Sequence, residues 1–191
     1  IMSITASNML PLGTKAPDFE LINSVDDRLL DLKSLVGEHG TLIVFMCNHC
    51  PYVVYLMEVI VSFSKEIESK GIKTIAISSN SVDTHSQDGP LEMKKIARSK
   101  SFSFPYLFDA TQEVAHAYQA ACTPDFFLFN KVLKLYYRGR FDASRPTNEL
   151  PINGSDLRFA CEGMLKSDPA PEKQYPSMGC NIKWHIGKEP K

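Results

Sequence analysis

The chain has 191 residues, of which 43% are apolar and 23% are charged, so it can bury a full hydrophobic core within one globular domain. This composition excludes intrinsic disorder, and a formal net charge of -1 excludes the basic excess typical of proteins that bind nucleic acids or anionic membranes. No apolar run approaches the roughly 18 residues of a membrane span. We therefore expect a single domain over residues 1–191, with its core at about 13–166, that is soluble and cytoplasmic.

The first strong element is a strand over residues 41–46, an apolar run typical of a strand buried on both faces of a sheet. From Pro51 to Lys70, apolar residues recur at spacings of three and four, which predicts a long helix. The alternating, β-branched segment 72–78 predicts a second strand, and a right-handed crossover joins the two strands. This strand, helix and strand unit indicates the α/β class.

The sequence after this unit predicts further regular elements: a helix over 90–100, a strand over 106–108, a helix after Asp109, a hairpin with strands over 126–129 and 132–137 around Asn130-Lys131, and a helix from Ser155 to about 165. Residues 167–191 contain four prolines. We expect them to form an irregular tail that lies on the domain or reaches over a site.

The five cysteines are odd in number and sparse, unlike the disulfide framework of a small secreted protein. Cys47 and Cys50 form a Cys-x-x-Cys pair between the buried strand and the long helix. Such a pair has three alternative roles: redox exchange, half of a metal site, or inert packing in the core. Its place after a buried strand and before a helix favours redox exchange.

A redox cysteine reacts as the thiolate, so its pKa must fall below the ordinary value of about 8.5. We expect the N-terminus of the long helix to stabilise the Cys47 thiolate and so to lower its pKa. Protonated His49 is expected to supply the remainder of the lowering. Cys50, one turn further along, is then placed to attack a mixed disulfide on Cys47 and to release the reduced substrate. This mechanism requires the two sulfurs to be reachable and faced by a proline loop.

The tripeptide Cys122-Thr123-Pro124 opens the strand predicted at 126–129, where proline is tolerated at the first residue or at a bulge. A strand ending in Cys-x-x-Cys, a long helix and a later Thr-Pro dipeptide that opens a hairpin resemble the thioredoxin superfamily over roughly residues 13–166. The segments at 13–21, 122–129, 137–140 and 176–184 make the chain most similar to the peroxiredoxin-like (AhpC/TSA-related) family that carries a thioredoxin-type Cys-x-x-Cys motif.

The resemblance implies a thioredoxin-like α/β fold, with a central mixed sheet flanked by helices, an N-terminal β extension and the irregular C-terminal tail. It also implies a thiol-disulfide oxidoreductase in which Cys47 is the nucleophile, Cys50 is the resolving thiol and Pro124 is a cis-proline beside them. Thr123 and Pro124 would hold the substrate chain. Substrates would be protein or small-molecule thiols and disulfides, no organic cofactor is implied, and a homodimer is left open. His49 before the second cysteine is similar to the protein disulfide isomerases, so we expect a reduction potential above that of thioredoxin.

A thiol-dependent peroxidase acting on peroxides is the first alternative. In peroxiredoxins the peroxide-reactive cysteine follows a Thr or Ser by three residues, so it would map to Cys50, with Cys47 at the Thr position. The segment 119–130 has no Arg to stabilise that thiolate, and Arg138 or Arg140 would have to substitute. The strand over 41–46 also lacks the buried carboxylate that thioredoxins place beneath the motif, so proton transfer would need water, His49 or a group from elsewhere.

A metal-binding module, similar to thioredoxin-fold copper carriers, is the alternative from another class. Cys47 and Cys50 would then bind the metal, with Cys180 and His185 of the tail completing the site. The remaining roles of Cys180 are a structural contact of the tail, which we favour, or resolution of an oxidised Cys47. Cys122 is expected either near the redox pair or as a small buried hydrophobe, and Cys161 in the core.

Overall fold

The computed structural model describes residues 4–190 of the chain. The strands are β1 Ile4–Ala6, β2 Glu20–Asn23, β3 Leu29–Asp31, β4 Gly40–Phe45, β5 Ile72–Ser78, β6 Tyr106–Phe108, β7 Cys122–Thr123, β8 Asp125–Asn130, β9 Leu135–Gly139 and β10 Met178–Asn181. The α-helices are α1 Leu32–Leu35, α2 Pro51–Glu68, α3 Pro90–Ser99, α4 Glu113–Ala117 and α5 Ser155–Leu165, and a short 3-10 turn covers Ser86–Asp88.

Seven strands form the central sheet, in the order β3-β2-β6-β5-β4-β8-β9. The pairs β4–β5 and β5–β6 are parallel, whereas the flanking pairs are antiparallel, so the sheet is mixed. The sheet and its helices confirm the predicted thioredoxin-like α/β class.

The β4 strand explains why helices cover both faces of the sheet. All six of its residues are buried. Leu42 and Val44 pack with α2, α3 and α5, whereas Ile43 and Phe45 pack with α1 and α4 on the opposite face. Successive side chains of a strand point to opposite faces, so an uninterrupted apolar run serves both cores.

The hairpin differs from its prediction. The second strand begins at Leu135 rather than at residue 132, because residues 131–134 form the turn. The Asn130 side chain accepts hydrogen bonds from the backbone N–H groups of Val132 and Lys134, and Leu133 takes a left-handed conformation with φ 59°. The Asn side chain thus stabilises a longer turn than the two-residue loop that the sequence pattern predicts.

The prediction of an irregular tail is wrong over one segment. Strand β10, which contains Cys180, lies between β1 and β7 in a second, three-stranded antiparallel sheet. In this sheet Cys180 is opposite Ile4 on one side and Thr123 on the other. The segment Met178–Asn181 has no apolar alternation, so only its distant partners define it as a strand.

Within residues 4–190, no helix is both long enough and apolar enough to cross a membrane.

Candidate active site

Cys47 and Cys50 occupy the loop that connects β4 to α2. Cys50 is the residue immediately before the helix, which begins at Pro51, so Cys47 lies four residues before the first residue of the helix. Both side chains are buried, with exposed fractions of 1% for Cys47 and 0% for Cys50. The expectation that both sulfurs are reachable is therefore not met in this arrangement of the chain.

The loop that faces the two cysteines carries the Thr123-Pro124 peptide bond, which is cis, as the resemblance implies. Thr123 Oγ1 lies 3.6 Å from Cys47 Sγ, and the Cys50 thiol can donate to the Thr123 carbonyl oxygen, 3.2 Å from Cys50 Sγ. One residue therefore contacts both sulfurs. The loop is fixed because β7 and β8, on either side of Pro124, pair with β10 and β4 respectively.

The tail covers this loop and brings a third sulfur to the pair. Cys180 Sγ lies 2.7 Å from Cys50 Sγ. A Cβ atom added to the preceding residue, Gly179, would lie 2.0 Å from the Thr123 carbonyl oxygen. Only glycine allows so close an approach of β10 to the proline loop. The predicted tail contact of Cys180 is thus with Cys50 rather than with Cys47.

The electrostatics of the pair differ from the prediction. The pKa of Cys50 is lowered to about 5, first because Cys47 donates a hydrogen bond to it, and further because of Cys180, Thr123 and the nearby Val53 N–H, while burial opposes the shift. The pKa of Cys47 is raised, because of its hydrogen bond to Cys50, burial and the charge of Asp88. The expectation of a lowered Cys47 pKa is therefore wrong for the reduced protein. The helix begins beside Cys50, so its N-terminus acts on that sulfur.

A buried carboxylate, Asp88, lies beneath the motif and is absent from the sequence-based predictions. Its Oδ1 accepts hydrogen bonds from the backbone N–H of Asn48, at 2.8 Å, and of His49, at 3.3 Å. Its Oδ2 accepts from Asn80 at 2.9 Å. Asp88 follows β5, and the ends of the parallel strands β4 and β5 meet at one edge of the sheet. The polar segment after β5 therefore indicates, from the sequence, where a polar side chain beside the Cys-x-x-Cys motif can come from.

His49 joins the carboxylate to the motif. Its Nδ1 lies 2.5 Å from Asp88 Oδ2, without the alignment of a hydrogen bond. The ring stacks on that of His85, with centroids 5.1 Å apart. Potential ligand atoms of Cys47, His49 and Asp88 all lie within 4.8 Å of one another. His49 therefore lies beside the Cys47 sulfur, as predicted, but held by a carboxylate.

The predicted alternative metal set is not assembled. Cys50 and Cys180 are in contact, but the ring of His185 lies 2.9 Å from the carbonyl oxygen of Ala110 and 3.9 Å from Asp83. These partners place His185 in a different set of contacts from the sulfurs. The group whose atoms approach ligand spacing is instead that of Cys47, His49 and Asp88.

The two arginines considered for peroxide chemistry are engaged elsewhere. Arg138 donates to the carbonyl of Leu10 and to Gln174, and Arg140 pairs with Asp156 at 2.5 Å. Neither is among the groups that shift the pKa of Cys50.

The other two cysteines are buried. Cys161 packs on α5 in the core, where burial raises its pKa to about 12. Cys122 precedes the proline loop, with its sulfur 3.9 Å from the carbonyl oxygens of Pro124 and Ser177. Cys122 is thus a small buried residue, as one of its two predictions has it, and its pKa is raised first by burial and to a lesser extent by the charge of Cys50.

Comparisons with known proteins agree with this fold. No curated protein matches the chain significantly. The solved structure of an uncharacterized conserved protein from Geobacillus kaustophilus is 45% identical, with a TM-score of 0.94 over 96% of this chain and 97% of that chain. A hypothetical protein from Sinorhizobium meliloti is 39% identical, with a TM-score of 0.93 over 96% of this chain and 100% of that chain.

A peroxidoxin from Mycobacterium tuberculosis shares the fold at 17% identity, with a TM-score of 0.59 over 82% of this chain and 96% of that chain. Residues 12–138 match the AhpC/TSA family. The chain therefore belongs to the AhpC/TSA family and is a redox protein of the thioredoxin superfamily.

Proposed function

We propose that the protein is a thiol-disulfide oxidoreductase that exchanges disulfides through Cys47 and Cys50. The observation that carries this proposal is the contact of Thr123, in the Thr123-Pro124 loop, with both sulfurs at the junction of β4 and α2. The substrates that fit this chemistry are protein or small-molecule disulfides and thiols. A cytoplasmic location is part of the same proposal.

In the proposed reaction Cys47 attacks one sulfur of a substrate disulfide. Its proton passes to the Cys50 thiolate, to which it already donates a hydrogen bond, and the second substrate sulfur leaves as a thiolate. Cys50 then gives up that proton to the departing thiolate and attacks Cys47. The Cys47–Cys50 disulfide forms, and the substrate leaves as one thiol and one thiolate, reduced by two electrons.

Both cysteines are buried and the tail contacts Cys50 through Cys180, so substrate access requires the tail to move. A cleft beside Pro124, lined by Tyr52, Arg140, Pro176 and Met178 among others, offers a surface for an extended substrate segment. Its walls include residues of the tail itself. Displacement of the tail by substrate would therefore open the cleft and the sulfurs together.

Two assays test this proposal. Wild-type protein should accelerate the reduction of insulin by dithiothreitol, and Cys47→Ser should abolish the acceleration. Cys161→Ser, which changes a buried cysteine of α5 outside the pair, serves as the matched control and should retain it. An insulin reduction rate equal to that of dithiothreitol alone would refute the function.

Trapping assigns the attacking sulfur. Cys50→Ser incubated with oxidised glutathione should accumulate a mixed disulfide on Cys47, since no resolving thiol follows. Peptide mass mapping locates the adduct. If Cys50→Ser remains unmodified under conditions in which wild-type protein is oxidised, Cys47 is not the nucleophile.

Peroxide reduction is the second candidate, and the lowered pKa of Cys50 favours it, because Cys50 occupies the position of the peroxide-reactive cysteine. The engagement of Arg138 and Arg140 with other groups argues against it. Rapid consumption of hydrogen peroxide by wild-type protein, lost in Cys50→Ser, would establish the peroxidase. Consumption by wild-type protein no faster than by Cys47→Ser/Cys50→Ser, which retains Cys122, Cys161 and Cys180, would exclude it.

A further inference from the structure

We propose that Cys180 is a third redox-active cysteine, which attacks Cys50 of the Cys47–Cys50 disulfide and moves the bond to Cys50–Cys180. The inference rests on the proposed function, because that reaction supplies the first disulfide. It assigns a reacting group to the C-terminal tail, and it returns Cys47 to the thiol form while the protein as a whole still carries one disulfide.

The placement of Cys180 is the first argument. Its sulfur lies 2.7 Å from Cys50 Sγ, against about 2.05 Å for a formed disulfide bond. Both residues are buried, so the contact occurs in a site closed to solvent. A shift of less than 1 Å would bring the two sulfurs to bonding distance.

The fixed position of β10 is the second argument. Cys180 pairs with Thr123 of the proline loop, and Gly179 allows the strand to lie against the Thr123 carbonyl. Upstream of the strand, Ser177 Oγ donates to the Pro124 carbonyl at 2.5 Å, and the Ser177 backbone N–H donates to Ser7 Oγ at 2.8 Å. These contacts hold the sulfur beside Cys50 before any oxidation takes place, which favours reaction through proximity.

The charge of the reduced site keeps Cys180 in the unreactive thiol form until Cys50 enters a disulfide. The pKa of Cys180 is raised to about 12, first by burial and then by its hydrogen bond to Cys50 and the charge of Cys50. Lys183 acts in the opposite direction. When Cys50 enters a disulfide it carries neither charge nor proton, so both effects of Cys50 disappear and the pKa of Cys180 falls.

The step itself is a thiol-disulfide exchange and needs no added oxidant. The Cys180 sulfur attacks Cys50, the Cys47–Cys50 bond breaks and the Cys50–Cys180 bond forms. Cys47 leaves as a thiolate and takes the proton that Cys180 gives up. Two electrons move from Cys180 to Cys47, and the protein as a whole stays oxidised at the same level.

A tryptic map under non-reducing conditions detects the product. Trypsin places Cys47 and Cys50 together on the peptide 34–65 and Cys180 on the peptide 174–183. Wild-type protein oxidised with oxidised glutathione should first show a disulfide within 34–65 and then a linked pair of the two peptides. Cys161→Ser, the matched control, should give the same pair of products.

Cys47→Ser isolates the second bond, because the linked peptides can then contain only Cys50 and Cys180. Oxidised glutathione would form a mixed disulfide on Cys50, and Cys180 would displace glutathione from it. Cys47→Ser/Cys180→Ser should stop at the glutathione adduct. Gly179→Val, which pushes β10 away from Thr123, should reduce the yield of linked peptides at least tenfold while leaving the disulfide within 34–65.

The outcomes separate this inference from the proposed function. Insulin reduction together with a disulfide within 34–65, and no linked peptides in wild-type protein or in Cys47→Ser, would overturn the role of Cys180 alone. Absence of insulin reduction, with linked peptides still present in Cys47→Ser, would refute the proposed function and leave the reactivity of Cys180 toward Cys50 established.

Discussion

Asp125 should make the stability of the protein depend on pH. It follows Pro124 directly and is fully buried, with its side chain accepting a hydrogen bond of 2.7 Å from Ser7 Oγ. Burial raises its pKa from the ordinary 3.8 to about 7, while Ser7 and backbone N–H groups oppose the shift. The folded protein therefore keeps a proton on Asp125 between about pH 4 and pH 7 that the unfolded chain has lost.

The sign of the effect follows from this difference in proton binding. Because the folded state binds the extra proton, its stability falls as the pH rises through the window and becomes level above about pH 7. At 1.36 kcal/mol per pKa unit, Asp125 destabilises the folded state by about 3 kcal/mol more at pH 8.5 than at pH 5. Asp125→Asn carries no titrating proton and removes this dependence.

Urea denaturation of wild-type protein and Asp125→Asn, at intervals from pH 5 to pH 8.5, measures the effect. The difference between the two curves isolates Asp125, since Cys50 and the other titrating groups contribute to both. The variant should gain about 3 kcal/mol relative to wild type across this range. Ser7→Ala, which removes the opposing hydrogen bond, should shift the step to higher pH. Parallel curves would refute the raised pKa of Asp125.

Three more measurements test the site. The thiolate absorbance of reduced protein should rise with a midpoint near pH 5, and Cys50→Ser should lack this step; a midpoint above pH 8 would contradict the charge placement. A Cys50 pKa of about 5, against about 7 in thioredoxin, stabilises the reduced form, so the potential should lie about 50 mV above thioredoxin's value of about −270 mV in a glutathione equilibrium. Asp88→Asn should lose about 1–3 kcal/mol in urea denaturation at pH 7, because an amide cannot accept all the hydrogen bonds made to the carboxylate; equal stability would show that Asp88 is not a structural acceptor.

The elements with strong periodicity were predictable because burial alone produces their pattern. Strand β4 is buried on both faces and therefore shows an unbroken apolar run, and α2 packs one side on the core. The class of the fold follows from these two elements and β5. The Thr-Pro dipeptide indicated the loop opposite the cysteines only through the family resemblance, since spacing along the chain does not specify a contact across it.

Two parts of the site depend on contacts that local sequence does not encode. Strand β10 is too short and too polar to show a period, and its partners β1 and β7 are distant in the chain. Asp88 comes from the loop after β5, so only the parallel pairing of β4 and β5 brings it under the motif. The sequence does contain a local signal for the lowered pKa of Cys50. Pro51 fits the first position of a helix, so Cys50 is the cysteine next to the helix N-terminus.

Strand Met178–Asn181 contacts the Cys50 sulfur through Cys180, and Cys47 and Cys50 are both buried, so we expect reagents to react with the pair only in the small population of molecules in which that segment has detached. Each 1.4 kcal/mol needed for detachment lowers the observed rate about tenfold relative to an uncovered thiol. Scavenging of sulfur-reactive metabolites is then slow at every concentration. A partner that binds the detached segment selectively gains a large kinetic advantage, so selectivity among disulfides can arise from the cover rather than from the sulfur chemistry.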